Sequence, residues 1–277
     1  MRTMSSIAFK KVHEEAFTLT DLLAVILIFG VLGMLLLPAL ASTKPNSAAF
    51  QCLQNQRQLV RAWQMYAGDN SGVLVASLGQ NGTSFYNARP VWMTGNFTSG
   101  VGSESDTNVD IVKSPLWIYV GKNAAVFKCP ADLSTVSIAG VLHPRVRSFS
   151  MSQVFDFGSW LPSAAYGGRW RTYAKTADIV KPANTFVFID ESPKFLNDAG
   201  FATDCNGLPG SGTSGPQIID LPAINHNNAA SLSFADGHAE MHRWHGNLIL
   251  NATGSSVSTP GDLDDFIYLA ENTTVLQ

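Results

Sequence analysis

From Leu22 to Ala41 the chain reads LLAVILIFGVLGMLLLPALA, twenty consecutive residues without a charge. At 1.5 Å per residue a helix of this length is about 30 Å long, the hydrocarbon thickness of a bilayer. The run therefore predicts a single membrane-crossing helix, with Gly30, Gly33 and Pro38 as residues that such helices tolerate. No second run of this length follows. Arg2, Lys10 and Lys11 precede the run, whereas only Lys44 lies among residues 42–49. That asymmetry predicts a cytoplasmic N-terminus and export of everything after Ala41 to the outer side of the membrane.

The composition around this run narrows the setting. Of 277 residues, 45% are hydrophobic and only 14% charged, with a net charge of −3. That balance excludes nucleic acid as a partner, since a nucleic-acid surface is basic. Sixteen Phe, six Trp and six Tyr exclude a disordered chain. Setting the apolar run aside leaves every charge in place and raises the charged fraction only to about 15%. The rest of the surface is therefore built largely from uncharged Ser, Thr, Asn and Gly.

Beyond the run, Pro45 and Asn46 break the helix, and Ser47 is placed to cap a new one. Ala49, Leu53, Gln56, Val60, Trp63 and Ala67 then recur at helical spacing, with Leu59 and Tyr66 beside them. Asp69-Asn70-Ser71-Gly72 supplies the turn that ends this helix. Leu116–Val120 and Ala125–Phe127 read as strand or short-helix pieces, Thr185–Ile189 as a strand, and residues 197–220 as a surface loop. Near the C-terminus, HNNAASLSFADGHAEMHRW places Asp236-Gly237 between alternating segments, a strong signal for a two-residue type I′ hairpin. That turn pairs Phe234 with Ala239 and Leu232 with Met241, and puts these four apolar residues on one face.

Asp21 stands at the head of the apolar run, within Ala16-Phe17-Thr18-Leu19-Thr20-Asp21. This stretch resembles the class III signal of type IV pilins and type II secretion pseudopilins. The resemblance implies cleavage and N-methylation by a prepilin peptidase between Ala16 and Phe17. It also implies a salt bridge in assembly between Asp21 and the Phe17 amine of a neighbouring subunit. Ala16 stands where that family carries Gly, and Asp21 where it prefers Glu. The spacing from His226 to Asp236-Gly237 looks like the processing-associated His-x9-Asp-Gly region of a bacterial prepilin-like family. Cys52-Leu53-Gln54-Asn55-Gln56, Cys129-Pro130-x-Asp132, Lys181-Pro182 and Asp190 match the same family in order.

The fold class so implied is α+β, a long N-terminal hydrophobic helix followed by an antiparallel β-sheet head. The divisions are a leader over residues 1–16, a transmembrane helix over 17–41, an exported amphipathic helix over 42–72 and a head over 73–277. The function implied is structural, a subunit of a pseudopilus or pilus-like fibre. Its partners are then the prepilin peptidase, other subunits through the N-terminal helix, and membrane lipid. The alternative is an unassembled, membrane-anchored surface protein with a ligand- or glycan-binding head. Cys52 and Cys129 are the two cysteines that coincide with the family pattern, and the resemblance pairs them in a disulfide.

Residues with catalytic chemistry are sparse. The chain has no Gly-x-Ser-x-Gly elbow, HExxH or phosphate loop, and the expectation is that it is not an enzyme. His238, Glu240 and His242 alternate along the expected second hairpin strand and could bind a metal, with His226 as a further donor. A solvated strand face accounts for them equally. Asp69 and its turn, or Asp262-x-Asp264-Asp265, could offer oxygens to calcium. Asx turns and a helix start are the plainer accounts of these two.

Overall fold

The computed structural model describes residues 19–29, 47–80, 83–84, 88–95, 97, 104–156, 161, 168–208 and 215–277. The chain divides into two compact units, Met1–Pro45 and Asn46–Gln277.

In the first unit a helix, α1, covers residues 19–29. Nine of its eleven residues are apolar, and all eleven are exposed, with Leu19 at 74%, Leu27 at 70% and Phe29 at 71%. At about 16 Å, α1 is half the hydrocarbon thickness of a bilayer. Among the described residues no helix is long and apolar enough to cross a membrane. This corrects the expected long hydrophobic helix and transmembrane span over 17–41. The single-pass membrane location that rested on the span falls with it. Residues 1–18 and 30–46 lie outside the described residues, and with them the processing pair Ala16 and Phe17.

The second unit begins with α2, Ala48–Asp69, and Ser47 caps it by accepting a hydrogen bond from the Phe50 amide. Its buried residues are Cys52, Gln56, Leu59, Val60, Ala62, Trp63, Tyr66 and Ala67. The covered stripe is thus centred nearer Cys52 than Ala49 and Leu53, which remain half-buried. Residues 71 and 72 follow at φ +54° and +80°, forming the expected turn.

The central sheet has the order β7-β5-β6-β8-β9, from β5 (Phe149–Ser152), β6 (Phe186–Asp190), β7 (Gly200–Phe201), β8 (Ala229–Phe234) and β9 (Ala239–Arg243). The β5–β6, β6–β8 and β8–β9 pairings are antiparallel, but β7 joins β5 in parallel. The sheet is therefore mixed, which corrects the wholly antiparallel expectation. Strand β7 lies in the segment read as loop, where two residues give too little alternation to mark a strand. Two short hairpins stand apart, β1 (Gly79–Gln80) with β2 (Thr83–Ser84), and β3 (Thr135–Ile138) with β4 (Val141–Pro144). The Leu116–Val120 piece lies in turns, and Ala124–Phe127 is a 3-10 helix.

Every residue of β5, β6 and β8 is buried. Helix α2 lies on the sheet and touches β8, β6 and β9. Small residues on β8 let it approach: Gln56, fully buried, donates to the Ser231 carbonyl at 3.2 Å and accepts from the Ser233 hydroxyl at 2.8 Å. Leu232 and Phe234 are fully or almost fully buried, and belong to the same core as Phe266, Leu269 and Ala270 of helix α4, Pro260–Glu271. A short helix α3, Asn247–Asn251, precedes it.

The β8–β9 hairpin forms, in a register one residue from the expected one: Ser233 faces Ala239, Leu232 faces Glu240 and Ser231 faces Met241. The turn is three residues long, not two. The Gly237 amide donates to the Phe234 carbonyl, and the Phe234 amide donates to His238. Gly237 has φ +99° but Asp236 does not have positive φ, so the type I′ condition fails. A one-residue change reverses faces along a strand, which puts Leu232 and Phe234 opposite Ala239 and Met241. The two-residue turn with both residues at positive φ occurs at Ala139-Gly140, between β3 and β4.

Candidate functional site

Four residues far apart in sequence meet where the start of α2 crosses the sheet. Cys52 comes from the first turns of α2, Cys129 from the loop after the 3-10 helix Ala124–Phe127, and Asp190 from the end of β6. His226 precedes β8 and is followed by Asn227 and Asn228, both in the left-handed region at φ +56° and +64°. Asn is among the few non-glycine residues that adopt that region readily, so the sequence supplies the sharp bend that turns His226 inward. One ligand atom from each of the four lies within 4.8 Å of the others.

Cys52, Cys129 and Asp190 are wholly buried, and His226 closes the group at half-burial. The Cys129 Sγ is 3.0 Å from His226 Nε2, and Cys52 Sγ is 3.9 Å from Asp190 Oδ2 and 3.0 Å from Ser231 Oγ. The Cys129 amide is held by the Ser148 hydroxyl at 2.7 Å. The other Asp190 oxygen, Oδ1, is buried and has no hydrogen-bond partner. Among the described residues Asp190 makes no ion pair either.

The electrostatics follow from this crowding. A hydrogen bond from Cys52 pulls the Cys129 thiol down to about 5, and the bond to His226 adds to that pull. The same hydrogen bond to Cys129, followed by burial, pushes Cys52 up. Burial raises Asp190 well above the usual carboxylate range, and the charge of Cys129 raises it further. Two cysteine side chains and a carboxyl group thus share one buried space, and no cation among the described residues pairs with the carboxyl group.

The structure thus brings Cys52 and Cys129 together, but as free thiols rather than in the disulfide that the resemblance implied. His226 belongs with these cysteines and not with the β9 residues. The separation inside His-x9-Asp-Gly has a structural meaning: β8 spans it, so His226 and Asp236 stand at opposite ends of a strand about 20 Å long. Asp236 works locally, accepting from the His238 amide at 3.1 Å and contacting its Nδ1 at 2.6 Å. Gly237 lies against Gln64 of α2, which donates to the Ala235 carbonyl.

The other metal candidates do not converge. His238 is stacked on Phe234 and turned to Asp236, while His242 is stacked on Tyr268. Glu240 accepts a hydrogen bond from the Tyr268 hydroxyl. Asp69 accepts from the Tyr119 hydroxyl at 2.9 Å. Asp262 completes a capping box with Thr259 and accepts from the Leu248 amide, and Asp265 accepts from the His245 and Gly246 amides. These carboxylates serve the start of α4 and the segment leading into α3, in place of the calcium reading.

The family pattern in the sequence contains all four residues of the buried group, but nothing in it places them together in space. Asp190 is 138 residues from Cys52, a distance that gives no local spacing signal. Comparison with protein-family models, with characterised proteins and with solved structures gives no match for this chain.

Proposed function

We propose that the protein is a structural subunit of a pilus-like fibre, packed against copies of itself through α1. The observation that carries this reading is the exposure of all eleven residues of α1, nine of them apolar. Full burial of a Leu, Ile or Phe side chain contributes about 1.5–3 kcal/mol, so a surface of this kind favours association. An isolated helix this short is marginal in water, and neighbouring helices would support it. Asp21 lies on the same helix, where the N-terminal signal resemblance assigns it to the Phe17 amine of a neighbour. The head, with α2 laid across its sheet, would form the outer surface of the assembly. A membrane-crossing anchor forms no part of this proposal.

The N-terminus of the isolated chain tests the reading. Mass spectrometry is expected to find N-methyl-Phe17 at the start of the processed protein, and Leu22→Asn with Ile26→Asn is expected to abolish recovery in fibres. An intact Met1, or fibres that form normally with both Asn substitutions, would overturn it.

A further inference from the structure

We propose that Cys52, Cys129, Asp190 and His226 bind one zinc ion, in a closed site that ties α2 to the sheet. Two thiolates, an imidazole and a carboxylate are a donor set that zinc takes in tetrahedral sites, with bonds of about 2.0–2.3 Å. Ligand atoms at that distance around one ion lie less than about 4 Å apart. The four atoms here are within 4.8 Å of one another, and two of the pairs are at 3.0 and 3.9 Å. Small side-chain rotations bring them to bonding distance.

The unpartnered Oδ1 of Asp190 gives independent support. A buried carboxyl oxygen without a hydrogen bond, on a group that makes no ion pair among the described residues, is costly, and buried acidic groups are typically paired or coordinate metals. A divalent cation among these four groups supplies the missing charge. The site has four protein donors and three of them are fully buried, leaving no open position for substrate. Its role is therefore structural and not catalytic. Ser231 Oγ, 3.0 Å from Cys52 Sγ, would steady that ligand from outside the coordination sphere. The ligands come from a helix, a loop, a strand end and a bend, so one ion would fasten four separate pieces of the chain.

The test uses the full chain, reduced, incubated with zinc chloride and freed of excess by gel filtration. About one zinc per chain is expected. Cys129→Ser and His226→Ala are each expected to lower retained zinc at least tenfold, while Cys205→Ser leaves it unchanged. Replacement of zinc by cobalt is expected to give thiolate-to-cobalt charge-transfer absorption, reduced by about half in Cys52→Ser. Because a ligand variant can fail to fold, the unsubstituted chain provides a second readout. Its Tm is expected to fall on chelation and to recover with added zinc, by roughly 5–10 °C at a hundredfold excess over Kd. A reduced chain that retains no zinc and shows no Tm response would overturn the proposal, as would Cys205→Ser losing zinc as fully as Cys129→Ser.

Discussion

His242 shows how one side chain couples the fold to pH. Its ring is stacked on Tyr268 at 3.4 Å and meets Trp244 edge-on at 4.6 Å. Burial lowers its pKa to about 4, and His245 adds to the effect while Glu240 opposes it. Between about pH 6.5 and 4 the unfolded chain therefore takes up a proton at this position that the folded chain does not. The stability contributed here is present above about pH 6.5 and is lost as the pH falls through 4. His242→Phe keeps the stack without the titration. Thermal melts are expected to show the variant gaining on the parent as pH drops from 7 to 4, with a constant offset above 7. A constant offset across the whole range would exclude the burial argument. Arg147 is a contrasting case, a cation that stays fully buried because it is satisfied. Its guanidinium donates to the Phe149 and Asp198 carbonyls at 2.6 and 2.7 Å and lies 4.5 Å above the Phe97 ring.

Among the elements, the two hairpins separate what local sequence can and cannot specify. Asp236-Gly237 carries the stronger turn signal, yet it closes a three-residue loop. Ala139-Gly140 carries a weaker signal and closes the two-residue loop with both residues at positive φ. The difference arises outside the turns. Strand β8 is buried on both faces, and α2 requires Ser231 and Ser233 beneath Gln56, so packing sets the register of β8. Nothing comparable holds β3 and β4, which are half-buried or exposed throughout. Ala139, at φ +51°, is held in a region that costs an alanine about 1–2 kcal/mol. Ala139→Asn is expected to stabilise the protein by about 0.5–1 kcal/mol, seen as a higher denaturant midpoint at unchanged m-value. A lower midpoint would show that the turn conformation is not what limits this hairpin. Helix α2 and strand β6 were legible for the opposite reason. A cap at Ser47, a regular stripe and a β-branched aromatic run are all local signals.

For the molecule as a whole, single elements such as α2 and β6 were readable in the sequence, but not the way distant parts of the chain combine. Strand β7 and the four-residue site both depend on partners that no local pattern announces: β7 on β5, Cys52 on Asp190 and His226. Strand β8 is an inner strand, between β6 and β9, and receives α2, yet it follows α2, β5, β6 and β7 in the chain. A chain ending at residue 225 retains α2, β5 and β6 but lacks the strand that covers them. It is expected to lose cooperative unfolding and to collect in the insoluble fraction. A soluble product with a sharp melting transition would show that β8 is dispensable to the core.

The late position of β8 also orders events during synthesis. Helix α2 leaves the ribosome early, with Trp63, Leu59 and Val60 facing a surface that does not yet exist. Roughly 160 further residues must be made before β8 emerges, at about 5–20 residues per second. For some 10 to 30 seconds the apolar side of α2 is a temptation for any neighbouring chain. The contact between α2 and β8 therefore waits on the synthesis of everything between them, and a chaperone that shields one amphipathic helix in that interval is expected to raise the yield.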